Sequence, residues 1–116
     1  MSPKSDLIRL KHMLDASEKV VLFLREKKRK DLDEDEKLAL AVVRLIEVIG
    51  EAATKLEKRV REVHSVIPWE QIIGTRNRLI HGYEEVDLDI VWQIATIDLP
   101  TLVGKLRHAI EIESLQ

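Results

Sequence analysis

The sequence has no cysteine, four glycines and three prolines in 116 residues, one phenylalanine, one tyrosine and two tryptophans. Without cysteine it can build neither a disulfide framework nor a thiolate metal site, a usage that suits a reducing cytoplasm, where the chain is expected to reside. No apolar run approaches the roughly 18 residues that a spanning helix needs. The first residues, Met1-Ser2-Pro3-Lys4-Ser5-Asp6, hold no apolar signal core, so a soluble, unexported protein is expected. A net charge of −2 removes the global basic signature of a nucleic-acid binder, leaving only a local patch for such a contact. Strand signals are missing too: there is no alternating run and no hairpin dipeptide between apolar segments.

What is present is aliphatic and charged. Hydrophobic residues make up 45% of the chain, mostly Leu, Ile, Val and Ala, and charged residues 34%. This length fills one domain, residues 1–116. Leu7, Leu10, Leu14, Ser17, Val21 and Leu24 alternate steps of three and four, predicting a first helix from Ser2-Pro3 or Ser5 through the basic run Arg25–Lys30. The acidic run Asp31–Glu36 follows directly. Cations closing one helix and carboxylates opening the next complement the macrodipole; contact with RNA is the other reading of the basic run. A second helix is expected from about Asp35 to Arg61, with Gly50 inside it to let another helix approach closely. Pro68 marks a third start, with Gly82 as its natural C-cap. A fourth helix, capped by Asp87 or Asp89, carries a stripe from Leu88 to Ile110. Pro100 lies inside that stripe and predicts a kink or split near Thr96–Leu99. The expected fold is all-α, an up-and-down bundle of four long helices.

Polar variety concentrates at Arg76-Asn77-Arg78-Leu79-Ile80-His81-Gly82-Tyr83, which includes the only asparagine and the only tyrosine. Residues five apart on a regular helix point about 140° away from each other. Arg76 and His81 therefore share no face unless the helix ends at Ile80 or a second copy of the chain completes the site. Arg76 does share a face with Ile72, Ile73 and Ile80, where an arginine is costly away from an edge, cleft or interface. Both points predict a groove at a dimer. His81 near a helix C-terminus suits proton transfer, and the forked, permanently charged Arg76 suits phosphate oxygens. Asn77 could orient substrate or His81, and Tyr83 could contact phosphate or base. Glu51 reads either as a buried acid beside the site or as a salt-bridged face residue. R-x-x-x-x-H also arises by chance at ordinary helix ends, so spacing leaves a structural reading open. His12, His64 and His108 show no partners and read as surface residues, and no metal-ligand spacing occurs.

At these residues the chain resembles the HepT-like proteins, a branch of the HEPN (higher eukaryote and prokaryote nucleotide-binding) superfamily. The family hallmark R-x-x-x-x-H-x-Y, with a polar residue after the Arg, is matched by Arg76, Asn77, His81 and Tyr83. Arg44–Ala53 is similar to the family's second helix, Ile67-Pro68-Trp69, Ile73-Gly74 and Asp87–Trp92 to its flanks, and Leu99-Pro100 to its last-helix break. The resemblance implies a metal-independent endoribonuclease with no cofactor, the toxin of a toxin–antitoxin pair, acting on RNA as a homodimer or larger oligomer. It gives Arg76 and His81 the catalytic roles. It makes Tyr83 the residue that a partner minimal nucleotidyltransferase (MNT) adenylylates to neutralise the toxin. Asn77 and Glu51 are expected to support the site. The competing expectation is a non-catalytic dimeric adaptor or regulatory partner of the nucleotidyltransferase.

Overall fold

The structure, a computed structural model, describes residues 3–81 and 86–116. Its elements are α1 (Pro3–Phe23), α2 (Asp31–Glu34), α3 (Glu36–Thr54), α4 (Lys58–Val63), α5 (Trp69–His81), α6 (Leu88–Gln93) and α7 (Leu99–Glu113), with a π-helical turn at Ile94–Asp98 joining the last two. The all-α expectation holds: α1, α3, α5 and the α6–π–α7 rod are the four long members. No helix among the described residues is long and apolar enough to cross a membrane.

Side-chain contacts between helix ends fix the up-and-down order. Asp6, near the start of α1, accepts a hydrogen bond from the Glu57 N–H just beyond α3 (3.3 Å). Glu113, at the end of α7, meets Arg59 and His64 between α3 and α5. At the opposite end Arg29, beyond α1, reaches Asp89 at the start of α6 with 2.6 Å between Nε and Oδ1. α1 lies between α3 and α7, and α5 packs on the other side of α3. The core holds Leu10, Met13 and Val20 of α1, Val42, Ile46 and Ile49 of α3, and Val91, Leu102 and Leu106 of the last rod, among others. Leu7, Leu14 and Val21, assigned to the seam of α1, sit at its half-buried edge.

Local chemistry sets several boundaries where expected. Asp35 caps α3 by accepting from the Leu38 N–H (3.1 Å), α5 starts right after Pro68, and Asp87 caps α6 through the Asp89 and Ile90 N–H groups. Pro100 has no N–H to offer the Thr96 carbonyl, and the helix answers with a wider turn rather than a break. Leu99 N–H donates to the Ile94 carbonyl, five residues back.

Three expectations need correction. The second long helix does not run to Arg61; α3 stops at Thr54, where the Glu57 N–H turns to the buried Asp6 carboxylate and α4 starts afresh. α1 stops at Phe23, so Arg25–Lys30 form an exposed turn beyond it, with Glu26 in the left-handed region at φ 64°. His64 is not a surface residue: it is 6% exposed, with Nε2 2.8 Å from Glu113 Oε2.

Candidate functional site

Arg76 lies on α5 where that helix crosses α3, and Gly50 of α3 makes the crossing possible. A Cβ placed on Gly50 would overlap Arg76 Cβ and lie 2.7 Å from its Cγ and 3.2 Å from the Ile72 carbonyl oxygen. Gly50 is thus the close-approach glycine expected, and what it admits is the stem of the arginine. The stem is packed, and the head is directed by its neighbour: Arg76 Nη1 donates to Asn77 Oδ1 at 2.8 Å. Arg76 Nε is buried and finds no hydrogen-bond partner among the described residues.

α5 stays α-helical through His81. Arg76 and His81 therefore occupy positions about 140° apart around one continuous axis. Of the two arrangements expected, an end at Ile80 that swings His81 round is not the one adopted. The His81 side chain, the expected cap residue Gly82 and Tyr83 lie outside the described residues.

Glu51 is half-buried and pairs with Arg44 (3.1 Å), which also approaches Glu47 (3.5 Å). Glu51 and Lys55 line a shallow groove of about 310 Å³ with Arg9 and His12 of α1. Among the described residues no hydrogen bond or ion pair joins Glu51 to Arg76. The site residues thus fall into two groups, Arg76 with Asn77, and Glu51 with Arg44. A second cavity, about 190 Å³, opens between α3, α5 and the π turn, walled by Ile46, Ile72, Thr75, Ile97 and Leu102 among others; Arg76 is not part of its wall. Among the described residues no three of His, Asp and Glu gather closely enough to hold a metal ion. His12 and His108 are exposed.

Sequence reasoning missed the strongest polar cluster. Glu113, with a side chain 2% exposed, takes a 2.8 Å bond from Arg59 Nη2 and faces His64, whose carbonyl accepts from Trp69 Nε1 (3.0 Å). Burial by itself pushes the Glu113 carboxyl up, but its bonds to Arg59 and His64 outweigh that and hold it below the usual carboxylate range. The cluster ties the start of α5 to the end of α7, at the far end of the bundle from His81. Glu113 continuing the stripe of Leu102, Leu106 and Ala109 was the available signal.

The comparisons agree with this architecture. The family model described as "Ribonuclease HepT-like" matches residues 13–109. "Putative RNase TTE0752" of Caldanaerobacter subterraneus subsp. tengcongensis is 35% identical over 104 residues, 90% of this chain and 93% of that protein. "Probable ribonuclease HepT" of Thermococcus cleftensis is 35% identical over 96 residues, 83% of this chain and 87% of its own. "Putative RNase MJ1216" of Methanocaldococcus jannaschii is 34% identical over 110 residues, 94% and 91%. No solved structure matches the chain. A match over residues 13–109, most of the length of an all-helical chain, places this chain in the ribonuclease HepT-like family of the HEPN superfamily.

Proposed function

We propose that this protein is a metal-independent endoribonuclease, the toxin of a toxin–antitoxin pair, whose two Arg76/His81 motifs line one cleft of a homodimer. The observation that carries the reading is the seat of Arg76. A guanidinium whose Nε is sealed from water with no partner among the described residues costs on the order of 1–3 kcal/mol. A purely structural position would be cheaper filled by an aliphatic residue, as Ile72 fills its own against the core. What the arrangement supplies is a permanent positive charge on a stem that cannot swing, with Asn77 fixing its head.

In the reaction that follows, the 2′-hydroxyl of one nucleotide attacks the adjacent phosphate. The 2′-O–P bond forms as the P–O5′ bond breaks, giving a 2′,3′-cyclic phosphate and a free 5′-hydroxyl. His81 handles the proton leaving the 2′-oxygen or the one reaching the 5′-oxygen, and Arg76 neutralises charge growing on the phosphate oxygens. Because Arg76 and His81 stand on different sides of one helix, a complete set is drawn from two chains. Glu51, held by Arg44 and outside the Arg76–Asn77 group, would act only as a supporting residue from α3. Tyr83, two residues past His81, is the point at which a partner nucleotidyltransferase adds adenylyl groups; their phosphates would pair with Arg76 and repel RNA.

The test is incubation with mixed RNA in EDTA. Fragments ending in cyclic phosphate are expected from the wild type and not from His81→Ala. RNA left intact by the wild type would leave the adaptor reading in its place.

A further inference from the structure

The Arg76 site occupies one side of the bundle, and the end toward which α5 runs carries a second feature. The exposed turn Arg25–Lys30 has five cations among six residues. Arg29 is spent structurally: it bonds Asp89 (2.6 Å) and Asp33 (3.0 Å), which fastens the turn to the start of α6. Arg25, Lys27, Lys28 and Lys30 are exposed and have no ion pair among the described residues. The nearby carboxylates are partly committed elsewhere, Asp31 to the Lys28 N–H and Asp35 to the Leu38 N–H. Next to the turn, as the last residue of α1, stands the chain's one phenylalanine, 39% exposed, with Leu22 beside it at 55%. An exposed aromatic ring at the edge of exposed cations is the combination with which proteins hold single-stranded nucleic acid, bases on the ring and phosphates on the cations.

Position strengthens the case. Arg76 lies opposite Gly50, fourteen residues from the start of α3, and His81 is one and a half turns further along α5. At 1.5 Å per residue the basic turn lies on the order of 13 Å beyond His81 along the bundle. That is about four nucleotides of a stacked strand. The Arg29–Asp89 bond puts the turn beside the start of α6.

We infer that Phe23 and the turn of Arg25, Lys27, Lys28 and Lys30 form a single-stranded RNA subsite that holds the substrate a few nucleotides from the scissile phosphate. It rests on the ribonuclease reading, and it adds what the Arg76/His81 pair lacks, a grip on the strand outside the reacting linkage. The cations supply salt-sensitive, sequence-independent affinity, and Phe23 supplies one stacking position.

Binding of a fluorescent 12-nucleotide single-stranded RNA to the full-length His81→Ala protein, measured by anisotropy across a salt series, tests the inference. The Lys27→Gln/Lys28→Gln/Lys30→Gln variant is expected to bind roughly tenfold more weakly near 100 mM salt, with the log–log salt slope flattened by about 2. Phe23→Ala should weaken binding roughly tenfold with the slope unchanged. With His81 intact, both variants should cleave a dinucleotide as the wild type does, while KM for the 12-mer rises. Unchanged 12-mer affinity and slope in the lysine variant, while the wild type still binds and cleaves, would overturn the subsite alone. A wild type that neither binds nor cleaves RNA overturns the ribonuclease reading with it. Conversion of a dimer to monomer by Phe23→Ala, with RNA affinity unchanged, would make this face a protein contact and overturn the subsite.

Discussion

Gly50 and Arg76 are a fitted pair: the hydrogen on Gly50 Cα occupies the one gap that a side chain would need, and the arginine stem closes over it. Two forces oppose each other when Gly50 becomes alanine. Helix propensity favours alanine by about 1 kcal/mol, whereas the new methyl collides with Cβ of Arg76, an atom that cannot move unless α5 does. Overpacking of that kind costs roughly 1–3 kcal/mol and should win. Gly50→Ala is therefore expected to lower the melting temperature by several degrees and to impair RNA cleavage. Gly104→Ala, with nothing within 4 Å of its added Cβ, should raise stability by about 0.5–1 kcal/mol. Thermal unfolding of both variants measures the contrast, and a stabilised Gly50→Ala would show that α5 yields freely.

Arg76→Ala and His81→Ala should each reduce cleavage roughly 100-fold or more while leaving assembly intact. Mixing them separates two geometries. Random re-pairing of subunits makes half the dimers mixed. If each site takes Arg76 from one chain and His81 from the other, each mixed dimer regains one complete site, about a quarter of wild-type activity in all. Sites drawn from one chain would regain nothing. Light scattering that finds only monomer at micromolar concentration would remove the shared cleft altogether.

Tyr83 is expected to take up AMP-sized mass increments when the protein is incubated with ATP and the minimal nucleotidyltransferase proposed as its partner. Tyr83→Phe should take up none, should still cleave RNA and should escape neutralisation. Labelling of the Phe variant at the wild-type rate, read by intact-mass spectrometry, would put the modification elsewhere.

The Glu113 cluster predicts an acid-sensitive bundle end. Its carboxyl is held below 4.5 in the folded chain. The stabilisation it provides is therefore complete above that ordinary value and fades as pH falls from about 4.5 through the lower folded value. Glu113→Gln should lose on the order of 2 kcal/mol at pH 7 and show a shallower loss of stability below pH 4.5. Urea titrations at pH 7 and pH 3.5 give both numbers; parallel losses in the two proteins would remove Glu113 as the source.

Legibility in the sequence followed the range of the interaction responsible. Asp35, Pro68, Asp87 and Pro100 act within a turn of themselves, and each boundary or distortion falls where the residue indicates. Gly50 signalled a close approach without naming its partner. The end of α3 carried no local signal, since Lys55-Leu56-Glu57 contains no breaker; the stop involves Asp6, 51 residues away. His64 looked unpartnered because Glu113 is 49 residues further on. Charged residues standing on apolar stripes, Asp6 in line with Leu10 and Met13, Glu113 in line with Leu106 and Ala109, were the legible trace of both.

The π turn at Ile94–Asp98 gives the last rod a tolerance that the other helices lack. A π turn houses one residue more than an α turn of similar height. Removing one residue there can be absorbed by tightening the turn to ordinary α pitch, with Val91 on one side and Leu106 on the other still facing inward. Removing one residue from the middle of α7 instead rolls everything after it by about 100° and carries Ala109 and Glu113 out of their contacts. Among homologues, single-residue length differences in this rod should collect between positions 94 and 98, and an alignment gap placed elsewhere in it would mark a misalignment or a rebuilt core.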